Sequence, residues 1–266
     1  MSTTTRRPVI PALIPLFFAF TALLCALVWL MGGYPLGWEW PTPYTSSVGA
    51  VPPSEGEGTM APIACVVIDA GHGGEDGGTS SAAGLVEKEV NLAVAFALRD
   101  LCEAAGIPVV MTRTEDKLLY DRNVDFQGRK KVLDLAARRI MAEETAARCG
   151  GNSLFVSIHM NAFPQPQYSG MQVWYGPTDP RSAAIAEEIQ TASRGLMPHN
   201  TRQIKEAGSN IYLLDRIKTP AVLVECGFLS NPEEAECLSD EAYRRAVAAV
   251  IFCGITPYLD GIGEGA

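Results

Sequence analysis

Ile63-Ala64-Cys65-Val66-Val67-Ile68-Asp69-Ala70-Gly71-His72-Gly73-Gly74 is an apolar, β-branched run of strand length that empties into glycines around a histidine. Short runs of this kind between turn signals read as buried strands of an α/β sheet. Two later runs share the design: Leu154-Phe155-Val156-Ser157-Ile158 leads to His159, and Ala221-Val222-Leu223-Val224 leads to Glu225. The chain holds three histidines, and two of them occupy such a position. Ligands of α/β sheets sit in the crevice beyond the strands' carboxyl ends, so His72, His159 and Glu225 are expected to converge there.

Outward from these strands the pattern alternates. Residues 87–105 repeat apolar side chains at helical spacing and stop before Gly106, the residue type favoured just past a helix end. Residues 108–111 read as a second strand, 131–148 as a helix ended by Gly150-Gly151, and 171–175 as a further strand. Residues 181–193 and 240–258 complete the set as helices. Strands alternating with helices predict one α/β domain over residues 62–262, and 47% apolar composition supplies its core.

The N-terminal part is different. Residues 9–31 carry no charge and are long enough to span a bilayer as a helix, behind Arg6-Arg7. The apolar stretch exceeds that of a cleavable signal, so it reads as a retained transmembrane anchor or uncleaved signal. The positive-inside rule leaves residues 1–8 in the cytoplasm and the rest outside it, secreted if the segment is cleaved. Residues 32–61, rich in Pro, Gly, Ser, Thr and Glu, read as a flexible linker.

The net charge of −9 argues against a nucleic-acid partner. Between Arg113 and Arg139, 8 basic residues face 5 acidic ones, which fits either a solvated helix face or a modest patch for an anionic substrate. The seven cysteines include no C-x-x-C pair and no zinc-finger spacing. Cys65, Cys102 and Cys253 lie in apolar stretches and are expected to be small buried hydrophobes, with an isolated disulfide left open.

A catalytic zinc takes three protein ligands and keeps one position for water. His72 and His159 suit such a set, and the glycines around His72 let the chain turn tightly and approach a ligand. Glu87 heads the stripe Val90, Val94, Leu98 and Leu101, whereas Glu89 projects about 200° away. On helical position alone Glu87 is equally a carboxylate stabilising the helix N-terminus. Glu225 closes an apolar run, where an acid is costly to bury unless paired or functional, and a poorly solvated glutamate suits a general base. His199, among turn residues, is expected to be exposed. No H-E-x-x-H helix, nucleotide-binding glycine loop or G-x-S-x-G elbow is present.

Taken together, Ile68-Asp69-Ala70-Gly71-His72-Gly73-Gly74, Glu87-Lys88 with Asn91-Leu92, Thr112-Arg113, Ser157-Ile158-His159-Met160-Asn161-Ala162 and Val224-Glu225-Cys226-Gly227-Phe228-Leu229-Ser230-Asn231-Pro232 resemble the zinc-dependent N-acetylmuramoyl-L-alanine amidases of bacterial cell walls, the amidase-3 type. The resemblance implies that His72, Glu87 and His159 bind Zn2+ and that Glu225 is the catalytic acid/base. It also implies a three-layer mixed β-sheet flanked by α-helices and peptidoglycan as substrate, cut between muramic acid and L-alanine. A short chain with one hydrophobic segment, Arg129-Lys130, Asp134-Leu135, Arg138 and Asn200-Thr201-Arg202 resembles the sporulation-specific CwlD type. That subgroup acts on spore cortex to allow muramic-δ-lactam formation. Ala70 and Ala142-Glu143 depart from the usual pattern at positions that are not ligands. A wall peptidase, a deacetylase or a non-catalytic wall-binding module are the alternatives, and any activating protein partner is not identified by the sequence.

Overall fold

The β-branched runs form the centre of a six-stranded sheet. β1 (Cys65–Ala70), β2 (Val109–Met111), β3 (Ser153–Asn161), β4 (Gln172–Tyr175), β5 (Lys205–Glu206) and β6 (Ala221–Phe228) take the order β2-β1-β3-β6-β4-β5 in the computed structural model. The structure describes residues 61–120 and 128–260. The expected cytoplasmic stretch, anchor and all but the last residue of the linker lie outside the described residues. Among the described residues no helix is long and apolar enough to cross a membrane.

β1, β2, β3 and β6 are parallel neighbours, and β4 runs antiparallel to β6, so the sheet is mixed as expected. Strand alternation divides its side chains between two cores. Val66, Ile68, Leu154, Val156, Ile158, Val222 and Val224 pack with α1 (Glu87–Ala104), α3 (Arg181–Leu196), α5 (Pro232–Ser239) and α6 (Glu241–Ile255). On the other face, Val67, Phe155, Ala221 and Leu223 meet α2 (Lys130–Arg148) and the short α4 (Tyr212–Arg216). Helices therefore cover both faces, giving three layers.

Several boundaries differ from the sequence reading. β3 and β6 run on through His159 and Glu225, so these residues lie within paired strands and not in loops beyond them. The expected single helix 240–258 stops at Ile255, because Pro257 offers no amide to continue it, and a 3-10 turn follows. A separate helix, α5, precedes it. Asn231 caps that helix by accepting from the amides of Glu233 and Glu234, and Pro232 occupies its first turn. Cys65 is not a free core thiol: it forms a disulfide with Cys149 that ties the start of β1 to the end of α2. Cys102 is buried as expected, but Cys253 is exposed, since it falls on the outer side of α6.

Candidate metal centre

Three elements meet at the carboxyl edge of the sheet. β1 ends at Ala70 and releases the loop carrying His72; α1 begins at Glu87; β3 delivers His159. One ligand atom from each of His72, Glu87 and His159 lies within 4.8 Å of the others, a group able to hold a metal ion. Glu87 Oε1 sits 3.2 Å from His72 Nε2 and 3.0 Å from His159 Nδ1. The two imidazoles stand edge to face with centroids 5.0 Å apart. A cavity of ≈ 80 Å³ opens here, lined by His72, His159, Asp69 and Arg138 among others. A larger cavity of ≈ 440 Å³ between α1 and α6 contains none of these groups.

The start of α1 explains why Glu87 is available. Its first amides need partners outside the helix. Glu87 N donates to Thr79 O at 2.9 Å and Lys88 N to Gly77 O at 3.1 Å, so loop carbonyls do the capping. The Glu87 carboxylate is therefore not consumed as a cap. It is buried, with Oε2 accepting from Thr79 N at 2.8 Å and Oε1 from Met160 N at 3.1 Å. Burial by itself would raise its pKa, but hydrogen bonds and charge from His159 and His72 outweigh this and hold the carboxyl well below the usual range. Burial likewise opposes protonation of His72, and Glu87 and Asp76 together raise its pKa in spite of that. Asp76 Oδ1 lies 2.9 Å from His72 Nδ1.

Room for the cluster is made by glycine. A Cβ on Gly71 would overlap the His159 ring, and one on Gly78 would overlap the Glu87 carboxylate and crowd His72. Gly78 also adopts φ +70.

His72 is held in a conformation that ordinary residues avoid. Its φ of +62 is in the left-handed region, and no other non-glycine among the described residues is there. Two buried arginines fix the surrounding carbonyls. Arg138 donates to His72 O at 2.6 Å and Ala70 O at 2.8 Å, while Arg113 donates to Ala70 O at 2.8 Å and Gly71 O at 3.0 Å. Arg138 is paired with Asp69 at 2.7 Å and Asp134 at 2.8 Å. Burial alone would raise the Asp69 pKa, yet Arg138, Ser157 and Thr112 lower it overall. So two members of the basic stretch 113–139 are neither a solvated face nor a substrate patch: they are scaffold. Asn91, one helical turn after Glu87, adds a bond from Nδ2 to Gly71 O at 3.1 Å.

Glu225 faces the same place from β6. It is the direct neighbour of His159 across the β3–β6 ladder and of Gln172 across β4. Its Oε2 is enclosed without a hydrogen-bond partner among the described residues. Burial pushes its pKa up to about 7; His159 opposes the rise and Glu87 adds to it. An enclosed, unpaired carboxyl poised near neutrality beside a donor cluster is equipped to carry a proton. The donor set is also suited to zinc, which accepts imidazole nitrogen and carboxylate oxygen in a four-coordinate shell.

The structure thus brings together all four residues singled out in the sequence. His199 is exposed, as expected, and is not a member of the donor group. Asp69, Asn91, Arg113 and Arg138 were not singled out as site residues. All four stand in the stretches that carry the resemblance, but the partners that give them their role lie 20 to 69 residues away along the chain.

Residues 66–257 match the protein family described as N-acetylmuramoyl-L-alanine amidase, Amidase_3. The germination-specific N-acetylmuramoyl-L-alanine amidase of Bacillus subtilis is 36% identical over 199 residues, 75% of this chain and 81% of that protein. Among solved structures, the CwlD amidase of Clostridioides difficile in complex with the GerS lipoprotein is 36% identical, with a TM-score of 0.67 over 73% of this chain and 97% of that one. The catalytic domain of CwlV, an N-acetylmuramoyl-L-alanine amidase from Bacillus (Paenibacillus) polymyxa var. colistinus, is 31% identical, with a TM-score of 0.61 over 74% and 99%.

Proposed function

The chain belongs to the N-acetylmuramoyl-L-alanine amidase family, and from that premise we propose that it is a zinc amidase in which His72, Glu87 and His159 hold the metal and Glu225 moves the proton. The observation that carries the assignment is the convergence of those three donors beside a carboxyl oxygen of Glu225 that is enclosed and unpartnered.

Zinc, when bound, supplies Lewis acidity that polarises the scissile carbonyl and acidifies water. Glu225 takes a proton from the attacking water. As the carbon–nitrogen bond to L-alanine breaks, Glu225 returns that proton to the departing amine. The lactyl group keeps the water oxygen with its second proton as a carboxylic acid, which ionises by releasing that proton to solvent, and the stem peptide leaves with a free N-terminus. Arg113 and Arg138 hold the His72 loop through its carbonyls, which keeps this donor at one position throughout.

Spore cortex is the proposed substrate, supported by likeness to the germination-specific relative and by the Asn200-Thr201-Arg202 region. The domain is proposed to act outside the cytoplasm, tethered by residues 9–31. The Cys65–Cys149 disulfide supports that location, because such bonds persist in oxidising compartments. The neighbour solved with a lipoprotein supports a protein partner for this chain as well.

Mass spectrometry of digested muropeptides tests the bond cut. An amidase frees the intact stem peptide; a peptidase leaves alanine on the muramic acid, and a deacetylase releases acetate. Metal content tests the ligands: His72→Ala, Glu87→Gln and His159→Ala are each expected to bind less zinc than the parent. Unchanged stoichiometry in all three sinks the ligand assignment. Loss of muramic-δ-lactam in a deletion strain tests the cortex role.

A further inference from the structure

Next to the candidate centre lies a group of aromatic rings under one arginine. Phe163 and Tyr168 are 48% and 42% exposed, large fractions for such side chains, and stand edge to face at 4.8 Å. Tyr168 stacks on Phe228 at 6.4 Å, and the Arg202 guanidinium lies 4.5 Å over Phe228 and 6.0 Å from the Tyr168 ring.

The register of the sheet places this group on the catalytic face. His159 pairs with Glu225, but Asn161 pairs with Phe228, so β6 spends three residues where β3 spends two. A bulge of that kind re-aims the side chains that follow it. Without it Gly227 would oppose Asn161; with it Phe228 shares the face of His159 and Glu225. Three strand residues advance about 10 Å, which is the offset from Glu225 along β6. Arg202 is tied to the same region from the other side. Its neighbour Gln203 accepts a hydrogen bond at its carbonyl from Gln172, the residue paired with Glu225.

The platform is built into the fold. Phe163 N donates to Ser230 Oγ at 2.9 Å, and Glu234 bridges the loop to β6 by accepting from Gly170 N and Phe228 N, each at 2.8 Å. Asn200, buried, bonds Met171 O at 2.9 Å and accepts from Arg202 N at 3.1 Å. Arg202 itself donates from Nε to Ser169 O at 2.7 Å. Among the described residues neither of its terminal nitrogens has a hydrogen-bond partner. The Arg202 charge acts on the Glu234 carboxylate, but the Glu234 oxygens accept from Gly170 N and Phe228 N, so the guanidinium keeps two terminal nitrogens without a hydrogen bond and matches an incoming carboxylate, which it binds with paired, charge-assisted hydrogen bonds.

We propose that Arg202, held over Phe228 and Tyr168, is the specificity residue that binds a carboxylate of the stem peptide. This rests on the amidase reading for its substrate class. The N-acetylated sugars beside the scissile bond are uncharged, whereas the stem peptide carries free carboxylates, so charge selects the peptide side. An extended peptide advances about 3.5 Å per residue, which brings a carboxylate two or three residues past the scissile amide within reach of Arg202.

The test compares zinc-loaded parent, Arg202→Ala and Arg202→Lys on two soluble substrates: an N-acetylmuramoyl tripeptide with free carboxylates, and the same compound with them amidated. The expected result is a rise in KM of about 10- to 100-fold for the free-carboxylate substrate in Arg202→Ala, the range for losing a charged hydrogen-bonded partner. kcat changes little, and Arg202→Lys recovers part of the loss. On the amidated substrate parent and Arg202→Ala have equal KM. Equal loss on both substrates shows a structural role, and no loss on either shows that Arg202 makes no contact; each overturns the inference and leaves the amidase reading standing. Failure of the parent to cleave either substrate removes the amidase reading and this inference with it.

Discussion

Replacing Glu225 by Gln in the metal-free protein isolates the electrostatic cost of an enclosed, unpaired carboxyl. Burial raises the pKa of Glu225 from 4.5 to about 7. The folded state therefore holds a proton between these values that the unfolded chain has released. Its contribution to stability is complete below pH 4.5 and is lost as pH rises through about 7. At about 1.4 kcal/mol per unit, the parent forfeits about 3 kcal/mol across that window. Gln, neutral at every pH, forfeits nothing. Urea unfolding followed by far-ultraviolet circular dichroism, on chelator-treated parent and Glu225→Gln, reads the difference directly. At pH 8 the variant is expected to be more stable than the parent by about 2.5 kcal/mol more than at pH 5, where the unfolded chain has already released most of this proton. His72 is present in both proteins, and its opposing charge on Glu225 is already contained in the Glu225 pKa of about 7. An identical stability difference at pH 5 and pH 8 would falsify the claim that the Glu225 carboxyl is desolvated and unpaired.

Three further outcomes follow from the structure. The Cys65–Cys149 bond closes a loop with a sequence separation of 84, worth about 4 to 5 kcal/mol in the chain-entropy account, so the double Ser variant is expected to unfold at a markedly lower urea midpoint; a free thiol at Cys65 in the parent contradicts it. Arg138→Met leaves Asp69 and Asp134 buried without their cation, which costs about 3 to 5 kcal/mol and lowers Tm by roughly 10 °C; an unchanged Tm refutes the scaffold role. Gly78→Ala drives a methyl group into Glu87 and is expected to reduce bound zinc while the fold, read by circular dichroism, persists; full zinc content would show that Glu87 is not confined by this loop.

How much was legible in the sequence depended on whether a residue's role is local. The strand runs leading to His72, His159 and Glu225 were visible because β-branched runs bounded by glycine need no partner to be recognised. Glu87 was only half visible. Its place at the head of the apolar stripe fits a ligand and a helix-dipole carboxylate equally, and the deciding fact, that Thr79 O and Gly77 O already cap α1, is tertiary. The Asp69–Arg138–Asp134 network was invisible as a network, since sequence shows each charge but not the 69 residues of separation that folding closes. For the same reason the sequence leaves Arg113 between a solvated face and a substrate patch, since its bonds to Ala70 O and Gly71 O are tertiary. β5 and α4 were missed because two- and five-residue elements carry no periodicity, and Cys65 looked like a core thiol because Cys149 lies so far along the chain.

Glu225→Gln, loaded with zinc and assayed on muropeptides, reaches the central claim most directly, with metal content and peptide release measured on the same sample. The expected result is zinc near one per chain together with no detectable release of stem peptide from muramic acid. Release at the parental rate, with zinc bound, would contradict the assignment of Glu225 as the group that moves the proton.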